Sequence, residues 1–410
     1  MKRPLVGVVV PAFPVLSESF VAGEVRRLGE NGVRVLPIVL DRASRAHAGM
    51  LAELRAAGIE PVYLLEDRRG LLGRAAAWAL RHPRLAARAW RLNARAPLPG
   101  SASRAARWVK VLAVLRLVEQ RGVDRLHSHW TLPGDVALLA HRLTGIPFAM
   151  SAHAVDIYDP EAAVDAPPGA GGLRDKVREA DFVATCTGQN RAYLAQIAPD
   201  VAGRIDLVYH GVDLAVFDGR KQDGEGPPLV LSVGRLVPKK GFLDLVRACG
   251  VLHREGVALR CAIVGDGPQR DELEAAIREE GLEGVVRLLG GLPHGEVRDL
   301  LRRSAVAVLC PRAEEGHYGI PNVLFEALAM RTPAITRRLP AVHELIDHGR
   351  TGFVFDEQDE LVDHLRATLL DRDLRERMGE AGRREIEARF DADRTIRPLA
   401  ARLTAPASAG

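Results

Sequence analysis

The sequence predicts an α/β protein with two parallel sheets, each covered by helices on both faces, and three observations carry that prediction. Short runs rich in β-branched residues alternate with longer amphipathic stretches along most of the chain, which is the pattern of consecutive strand–helix–strand units. One polar stretch, DGRKQDGEGPP at 218–228, interrupts the alternation and has the Gly and Pro content of a linker. The length of 410 residues exceeds what one hydrophobic core normally holds.

Six apolar runs are predicted as strands of the first half. They are Leu5–Val10, Val33–Leu40, Arg125–His129, Phe148–Ala152, Phe182–Cys186 and Ile205–His210. Helical periodicity lies between them, as at Ser19–Asn31 and Ser101–Gln120. Lys2 and Arg3 precede the first run as in a signal peptide, but prolines interrupt the apolar stretch and no cleavage pattern follows. We therefore expect a buried first strand and no signal peptide.

The alternation of strand and helix restarts after the polar stretch. The predicted strands of the second half are Leu229–Val233, Arg260–Val264, Val285–Leu289, Ala305–Leu309 and Ala334–Thr336. We divide the chain into a Rossmann-like domain at 1–213, a linker at 214–228, a second Rossmann-like domain at 229–388, and a last helix with a short tail at 389–410. Two such domains are expected to face each other across a cleft, with ligands at the carboxyl ends of the strands.

The formal charge of +4 is unevenly distributed. Between Arg68 and Arg121 there are thirteen Lys or Arg and one acid, and Trp78, Trp90 and Trp108 lie among them. Such a basic, Trp-bearing region suits a peripheral contact with an anionic membrane, and the alternative is an ordinary solvated helical face. Binding of nucleic acid is not expected, because no recognised module accompanies the basic region.

The four cysteines indicate a reducing compartment. Cys186, Cys249, Cys261 and Cys310 form no C-x-x-C pair, so neither a zinc site nor a disulfide framework is predicted and a cytoplasmic location is expected. The sequence also has no run of about 18 uncharged apolar residues, so no helix is expected to span a membrane.

The most informative stretch is PRAEEGHYGIPNVLFEALAMRTP at 311–333. Gly319-Ile320-Pro321 follow a predicted strand and open a helix, whose first N–H groups and dipole form an anion site. Glu326 lies further along that helix, where its carboxylate can accept hydrogen bonds from both vicinal hydroxyls of a ribose. The alternative is an ordinary helix start with a solvated glutamate.

A second stretch, LSVGRLVPKKGF at 231–242, places two cations at a strand–loop–helix turn. Arg235 and Lys240 are five residues apart in it. Two fixed cations at such a turn suit a diphosphate, Arg as a fork and Lys as a point charge. The alternative is a pair of solvated surface cations.

A third stretch, AIVGDGP at 262–268, predicts a tight turn after a strand. Gly265, Asp266 and Gly267 form the turn, which lets a ligand approach the backbone closely. It is not the G-x-G-x-x-G dinucleotide fingerprint, and a plain turn is the alternative.

In the first half, His153 directly follows a predicted strand, and Asp156 lies on the loop after it. A histidine at that place can hydrogen-bond a sugar hydroxyl or transfer a proton, or it can be structural. His127 and His129 share one face of another strand, but a metal site there needs further ligands, so no metal site is predicted.

Taken together, these segments resemble glycosyltransferase family 4, a large group of retaining sugar transferases with the two-domain GT-B fold. The landmarks follow the family's order along nearly the whole chain. They are FPVLSESF at 13–20, HSHW at 127–130, SAHAVDIY at 151–158, HGVDLAVF at 210–217, SVGRLVPKKGF at 232–242, VGDGP at 264–268 and GIPNVLFEALA at 319–329. The first and third are most similar to the branch that builds bacterial surface polysaccharides.

The resemblance implies roles for individual residues on the donor side. Arg235 and Lys240 match the cations that bind the donor diphosphate and stabilise its charge during catalysis, and Glu326 matches the carboxylate that holds the ribose. The other residues implied in donor binding are Gly319, Ile320, Tyr318, Asn322, Gly265, Asp266 and Gly267.

The resemblance also implies an acceptor side. His153 matches a catalytic histidine near the donor sugar, where acceptor and leaving group meet. Ser17 and Ser19 lie in the N-terminal loop that closes over the cleft, and Asp156 lies beside the acceptor. From Phe390 onward the chain resembles the terminal helix that crosses back to the first domain.

One position departs from the family's pattern. The family usually carries a further glutamate, which contacts the donor sugar, before the ribose glutamate; that position, eight residues before Glu326, holds Tyr318 here. Either a shifted loop lets Glu315 reach the sugar, or Tyr318 replaces the contact and changes donor preference or rate. We expect the second, since Gly319-Ile320-Pro321 fixes the register of the motif.

The sequence therefore predicts a retaining, metal-independent hexosyltransferase that uses a nucleotide-diphosphate sugar and needs no other cofactor. The expected acceptor is a saccharide or lipid-linked saccharide in cell-surface polysaccharide synthesis. Two alternatives remain. Tyr318 favours a non-catalytic protein that binds nucleotide sugars, and a sugar-nucleotide epimerase would need no acceptor.

Overall fold

In the computed structural model, the chain divides into two units. The first comprises Met1–Tyr209 together with Ile396–Gly410, and the second comprises His210–Thr395. The described residues are 3–15, 19–41, 48–66, 68–96, 103–159, 164, 166–222, 226–312 and 319–406. The first unit thus ends four residues before the boundary predicted at 213, and the predicted linker counts with the second unit.

Within the described residues, the first unit contains a seven-stranded parallel sheet with helices between its strands. Its strands are β1 (Leu5–Val10), β2 (Arg34–Val39), β3 (Val62–Tyr63), β4 (Arg125–His129), β5 (Phe148–Ala152), β6 (Val183–Thr185) and β7 (Ile205–Leu207). Its helices are α1 (Ser19–Glu30), α2 (Ala48–Ala56), α3 (Arg68–Arg81), α4 (Pro83–Arg95), α5 (Arg104–Arg121), α6 (Thr131–Thr144), α7 (Ala154–Ile157), α8 (Leu173–Glu179) and α9 (Gly188–Ile197). All six predicted strands of this half form, and β3 is an additional strand that the sequence analysis missed.

The strand order of this sheet is β3-β2-β1-β4-β5-β6-β7, so the order reverses between β1 and β4. Val6, Val8 and Val10 of β1 point into one hydrophobic layer, and Val9 points into the other, because successive strand residues face opposite sides. A strand buried on both faces needs apolar residues throughout, which explains the continuous run LVGVVV.

The second unit contains a six-stranded parallel sheet within the described residues. Its strands are β8 (Leu229–Val233), β9 (Arg260–Val264), β10 (Val286–Gly290), β11 (Val306–Leu309), β12 (Ala334–Arg337) and β13 (Gly352–Phe355). Its helices are α10 (Phe242–Arg254), α11 (Arg270–Glu279), α12 (His294–Arg303), α13 (Asn322–Ala329), α14 (Gln358–Leu370) and α15 (Arg372–Arg389). The five predicted strands form, and β13 was not predicted.

The strand order of the second sheet is β10-β9-β8-β11-β12-β13, and the order reverses between β8 and β11. In an open parallel sheet, ligands bind outside the carboxyl ends of the strands at the point where the order reverses. The loops that follow β8 and β11 therefore flank the place where a ligand of this unit is expected. The core beneath them joins the sheet to α10 and α14, through residues such as Phe242, Leu245, Phe355 and Leu365.

A last helix, α16 (Ala392–Thr404), begins in the second unit and ends in the first. Its residues Ile396, Leu399 and Leu403 are buried in the same apolar layer as the Val6 face of β1. Arg125 of β4 donates hydrogen bonds of 2.7 and 3.1 Å to the carbonyls of Arg402 and Leu403. The second half of α16 is thus part of the core of the first unit.

The basic region folds into α3, α4 and α5, and the prediction that its three tryptophans share an exposed surface is wrong for Trp78. Trp78 is 2% exposed, and its indole donates to Glu119 at 2.9 Å. Trp108 is half-buried and donates to the carbonyl of Ala86 at 3.0 Å. Trp90 is 46% exposed. The buried rings join the three helices, because helical periodicity turned them inward.

Candidate active site

The segments that follow β8 and β11 are in close contact at Gly241, a position where the backbone allows only glycine. Gly241 has a φ of +65°, and a Cβ at this position would lie 1.9 Å from the carbonyl oxygen of Cys310. Next to it, Arg312 N–H donates to the carbonyl of Lys239 at 2.9 Å. The turn that carries Lys240 is therefore held directly against the segment that follows β11.

Arg235 and Lys240 are brought onto this turn without a carboxylate partner among the described residues. Arg235 is exposed and Lys240 is half-buried, with its aliphatic stem near Gly234. Burial lowers the pKa of the Lys240 ammonium, and the neighbouring charges of Lys239 and Arg235 lower it further. Two cations that repel each other and have no described counter-ion favour binding of an anion.

The turn after β9 braces this site through its backbone. Gly265 has a φ of +140°, and a Cβ there would lie 1.9 Å from the carbonyl oxygen of Gly234. A Cβ at Gly267 would lie 2.3 Å from the carbonyl oxygen of Leu236. The two glycines are thus required by close packing of two loops, and their contact with a donor stays a prediction.

Asp266 joins a third loop to the same turn. Its Oδ2 accepts a hydrogen bond of 2.8 Å from the N–H of Gly291, after β10. Its own carbonyl accepts from Leu236 N–H at 2.9 Å. The described contacts of Asp266 are therefore with the protein backbone, and its predicted role in donor binding remains untested.

The helix α13 presents the predicted ribose carboxylate, but with a partner that the sequence analysis missed. Glu326 Oε1 lies 3.0 Å from Nε2 of His294, the first residue of α12. This hydrogen bond raises the pKa of His294. The Glu326 side chain is 18% exposed and that of His294 48%, so the pair is open to solvent on the histidine side.

The residues that open α13 lie where the sequence predicted them. The helix begins at Asn322, directly after Pro321, and Ile320 is buried. Asn322 Oδ1 is 3.3 Å from Nδ1 of His210. The N–H of Leu324 donates to the carbonyl of Pro321 at 3.0 Å. The two N–H groups before it have no acceptor within the helix, so they are available to an anion beside Gly319. Tyr318, with Glu314 and Glu315, lies outside the described residues, and its effect stays a prediction.

In the first unit, His153 lies directly after β5, at the carboxyl edge of the sheet, as predicted. It is 8% exposed. Its ring is 5.5 Å from that of Phe20, 5.6 Å from that of Trp130 and stacked on that of His129 at 5.8 Å. An aromatic enclosure of this kind orients the imidazole and leaves little room for water.

Asp156 holds the backbone that carries His153. Its Oδ1 accepts the N–H of His153 at 2.9 Å, and its Oδ2 accepts the N–H of Thr131. Burial raises the pKa of Asp156 to about 6 although these hydrogen bonds oppose the shift. The described contacts make Asp156 a support of the His153 loop, and its predicted role beside the acceptor is untested. Ser19 begins α1, and Ser17 lies outside the described residues.

One group in the first unit has the composition of a metal site. Glu24, His127 and His129 offer ligand atoms that lie within 4.8 Å of one another. His127 Nε2 is 2.9 Å from Ser151 Oγ, and burial, followed by the charge of His129, lowers the pKa of His127 to about 3. These residues could hold a metal ion, whereas the sequence predicts none.

Comparison with known proteins agrees with this geometry. The family model described as "Glycosyl transferases group 1" matches residues 217–385, and the model described as "Glycosyltransferase Family 4" matches residues 43–216. The alpha-D-kanosaminyltransferase of Streptomyces kanamyceticus is 30% identical over 276 residues, which are 62% of this chain and 70% of that protein. The chain belongs to glycosyltransferase family 4.

Other relatives of this family 4 glycosyltransferase lie in polysaccharide synthesis. The colanic acid biosynthesis glycosyltransferase WcaL of Salmonella typhimurium is 34% identical over 152 residues, 36% of this chain and 37% of that protein. Among solved structures, Anabaena Alr3699/HepE in complex with UDP aligns with a TM-score of 0.70 and 17% identity, over 97% of this chain and 98% of that one. The fold is GT-B, as predicted.

Within this family 4 glycosyltransferase, the second unit collects the predicted cations, the α13 helix start and Glu326 around one switch point. His294 was missed because its partner lies 32 residues away in sequence, and no motif of the sequence analysis includes it. None of the described helices combines the length and apolar character needed to cross a bilayer.

Proposed function

We propose that this enzyme transfers a hexose-type sugar from a nucleotide-diphosphate sugar to a saccharide or lipid-linked saccharide in the synthesis of a cell-surface polysaccharide. One observation carries the proposal: Arg235 and Lys240, without a described carboxylate partner, lie where the sheet order reverses, between β8 and β11. The start of α13 adds N–H donors, and Glu326 adds a carboxylate for ribose. The solved complex of HepE with UDP and the colanic acid relative support the same assignment.

The proposed reaction retains the anomeric configuration. The bond from the anomeric carbon to the diphosphate oxygen breaks, the acceptor oxygen attacks from the same face, and the departing phosphate oxygen takes the acceptor's proton. The protein then has to orient both substrates and stabilise negative charge on the leaving diphosphate. Arg235, Lys240 and the α13 N–H groups suit that task, so we propose that no metal is needed.

The first test is Lys240→Ala. Loss of one such donor should cost about 2–4 kcal/mol of transition-state stabilisation and lower kcat/KM accordingly, while the melting temperature stays near that of the wild type. Steady-state transfer of labelled sugar to the acceptor measures the change. Lys239→Ala is the matched control, because it removes the adjacent cation and should cost much less. Near-normal turnover by Lys240→Ala would contradict the proposal.

The donor can be identified by thermal shift against UDP-, GDP-, ADP- and TDP-sugars, with Glu326→Ala as control. One donor should raise the melting temperature of the wild type, and the shift should be lost in the variant. NMR of the product's anomeric proton then reports retention or inversion. Activity after treatment with a chelator reports whether a metal takes part.

We further propose that α4 contacts an anionic membrane from the cytoplasmic side. Arg84, Arg88, Arg91 and Arg95 are exposed and recur at helical spacing, so they form one stripe. The sequence of α3 and α4 contains no acid, and Leu80 on α3 and Trp90 on α4 are exposed. An arginine stripe on a pair of helices that has no acid and exposes apolar side chains suits anionic lipid headgroups. The four cysteines form no disulfide bond, which suits the proposed cytoplasmic location.

Charge reversal tests this contact. Arg88→Glu with Arg91→Glu should abolish co-sedimentation with vesicles containing anionic lipid, because each basic residue near the surface contributes about 1 kcal/mol. Arg377→Glu with Arg384→Glu reverses two exposed charges on α15 and should leave binding unchanged. Equal loss in both pairs, or no preference of the wild type for anionic vesicles, would favour an ordinary solvated face.

A further inference from the structure

A chain of buried charges runs beneath the His153 loop of the first unit. Lys176 on α8 is 2% exposed, and its Nζ lies 2.6 Å from Asp135 Oδ1 on α6. Asp135 Oδ2 accepts a hydrogen bond of 2.8 Å from Arg107 on α5, and Arg107 donates to Asn93 Oδ1 on α4 at 2.6 Å. Four helices are thereby joined by polar side chains inside the protein.

Such a network is not explained by stability alone. Each buried ion costs several kcal/mol of desolvation even when it is paired, and apolar replacements of buried ion pairs are often neutral or stabilising. Lys176, Asp135 and Arg107 are all buried. The charges therefore serve to fix the conformation of the backbone that they contact.

The network ends on the main chain of Thr131, at the start of α6. Lys176 Nζ donates to the carbonyl of Thr131 at 2.9 Å, and the Asp156 carboxylate accepts the N–H of the same residue. Asp156 also accepts the N–H of His153 at 2.9 Å. Both main-chain polar groups of Thr131 are thus hydrogen-bonded to charged side chains. One of these side chains, that of Asp156, also binds the backbone of His153.

The residue before Thr131 has a strained backbone, which the hydrogen bonds to Thr131 help to hold. Trp130 has a φ of +66° and a ψ of 161°, a conformation that non-glycine residues rarely adopt and that costs about 1–3 kcal/mol. Such a backbone persists only where its surroundings over-determine it. In this conformation the Trp130 ring lies 5.6 Å from the ring of His153, so the strained backbone and the imidazole enclosure depend on the same contacts.

We propose that Lys176 is a positioning residue for sugar transfer, which acts through Thr131 and Asp156 to hold Trp130 and His153 in place. The proposal rests on the proposed function and on the role near the donor sugar that the family resemblance implies for His153. In this arrangement Asp135 neutralises Lys176, and Arg107 anchors Asp135 from α5.

The charges around Asp156 give the network a measurable signature. Lys176 faces Asp156 from α8, Thr131 N–H and Asp135 lie on α6, and His153 lies on the loop that Asp156 caps. Burial raises the pKa of Asp156 to about 6, and the hydrogen bonds from Thr131 and His153, followed by the charge of Lys176, keep it from rising further. Removal of the Lys176 charge should therefore raise the pKa of Asp156, and neutralisation of Asp135 should lower it.

The amide of His153 reports this ionisation directly, because it donates to Asp156. In full-length protein labelled with 15N-histidine, thirteen histidine amides are present, and His153→Gln identifies the one of interest. Its chemical shift should titrate near pH 6 in the wild type, at higher pH in Lys176→Met and at lower pH in Asp135→Asn. Arg125→Met is the matched control, because Arg125 is also buried and ion-paired, to Asp181 at 3.0 Å, but at the opposite end of β4.

Transfer activity is measured on the same variants. Lys176→Met should lower kcat on the order of 10- to 100-fold, as expected for a misplaced catalytic group, with the KM for the donor changed by less than about twofold. Arg125→Met should lose stability and keep the wild-type kcat and titration. An unchanged His153 titration in Lys176→Met, or an equal effect of Arg125→Met on kcat and titration, overturns the proposal.

The two proposals can fail separately. If the wild type transfers no sugar from any donor, the proposed function fails, while the His153 titration still decides whether Lys176 acts on this loop. If Lys176→Met does not fold, Asp135→Asn preserves the shape of the network, and its shift to lower pH carries the test. Absence of that shift counts against the proposal.

Discussion

At the scale of single residues, the carboxylate that is proposed to hold the ribose is already oriented in the free protein. Glu326 Oε1 accepts from His294, which leaves Oε2 and further lone pairs for a ligand's hydroxyls. The histidine fixes the plane of the carboxylate, and a fixed acceptor loses less entropy when a ligand binds. His294 is thus a support for Glu326 that begins a different helix.

This pair should make stability depend on pH in a defined direction. Because the pair raises the pKa of His294 above its ordinary 6.5, it stabilises the folded state below that value and the contribution is lost as pH rises through the raised pKa. The melting temperature of His294→Gln should therefore fall below that of the wild type at about pH 6 and match it at about pH 9. Since His294 is half exposed, the effect should stay under about 1 kcal/mol.

Thermal unfolding of wild type, His294→Gln and Glu326→Gln across that pH range checks this expectation. The Glu326→Gln variant should show the same loss, because it removes the other partner of the pair. A difference between His294→Gln and the wild type that stays constant with pH would contradict it.

At the scale of elements, the donor side is built from loops that are fastened to one another by their main chains. Gly234 N–H donates to Val264 O at 2.9 Å, and Gly265 N–H donates to Gly290 O at 2.8 Å. The loops after β8, β9 and β10 therefore form one rigid edge, on which Arg235 and Lys240 are presented. A rigid edge places two like charges together before any anion arrives.

Gly241 is the position at which this construction is most easily broken. Gly241→Ala should cost at least about 2 kcal/mol, since it combines a left-handed φ with a clash against the Cys310 carbonyl. Gly256→Ala is the control, because Gly256 has a φ of +81° but a Cβ there would meet no described atom within 4 Å; it should cost only about 1 kcal/mol. Urea unfolding measures both, and equal losses would show that the Cys310 contact is unimportant.

The two strands that the sequence did not predict, β3 and β13, form by pairing with a neighbouring strand and not through the β-propensity of their own residues alone. β3 is two residues long and exists through its pairing with Ile38 and Val39 of β2. β13 starts at Gly352, where a Cβ would lie 2.2 Å from the carbonyl oxygen of Ala334. A glycine that follows Arg350 and Thr351 suggests a turn, and only the neighbouring strand makes it the start of a strand.

At the scale of the whole molecule, two parallel sheets were predictable from the alternation of strand and helix. The order of their strands was not predicted, because pairing between strands that are distant in sequence sets it. The motifs at strand ends were predictable, since Arg235, Lys240, Glu326 and His153 all follow strands that the apolar runs define. The Glu326–His294 pair and the Lys176 network were not, because their partners are distant in sequence and meet only after folding. For Trp78 the prediction was wrong. The basic composition around it suggested a surface position, whereas the helical periodicity places its ring in the core.

The place of Ile396, Leu399 and Leu403 in the first unit has a consequence for how the protein is made. A ribosome releases these residues only after it has synthesised the whole second unit, so the apolar layer beside Val6 stays incomplete throughout most of translation. The second unit, whose residues are contiguous, can fold as soon as it emerges. The half of the enzyme that is synthesised first is therefore the half whose core is closed last.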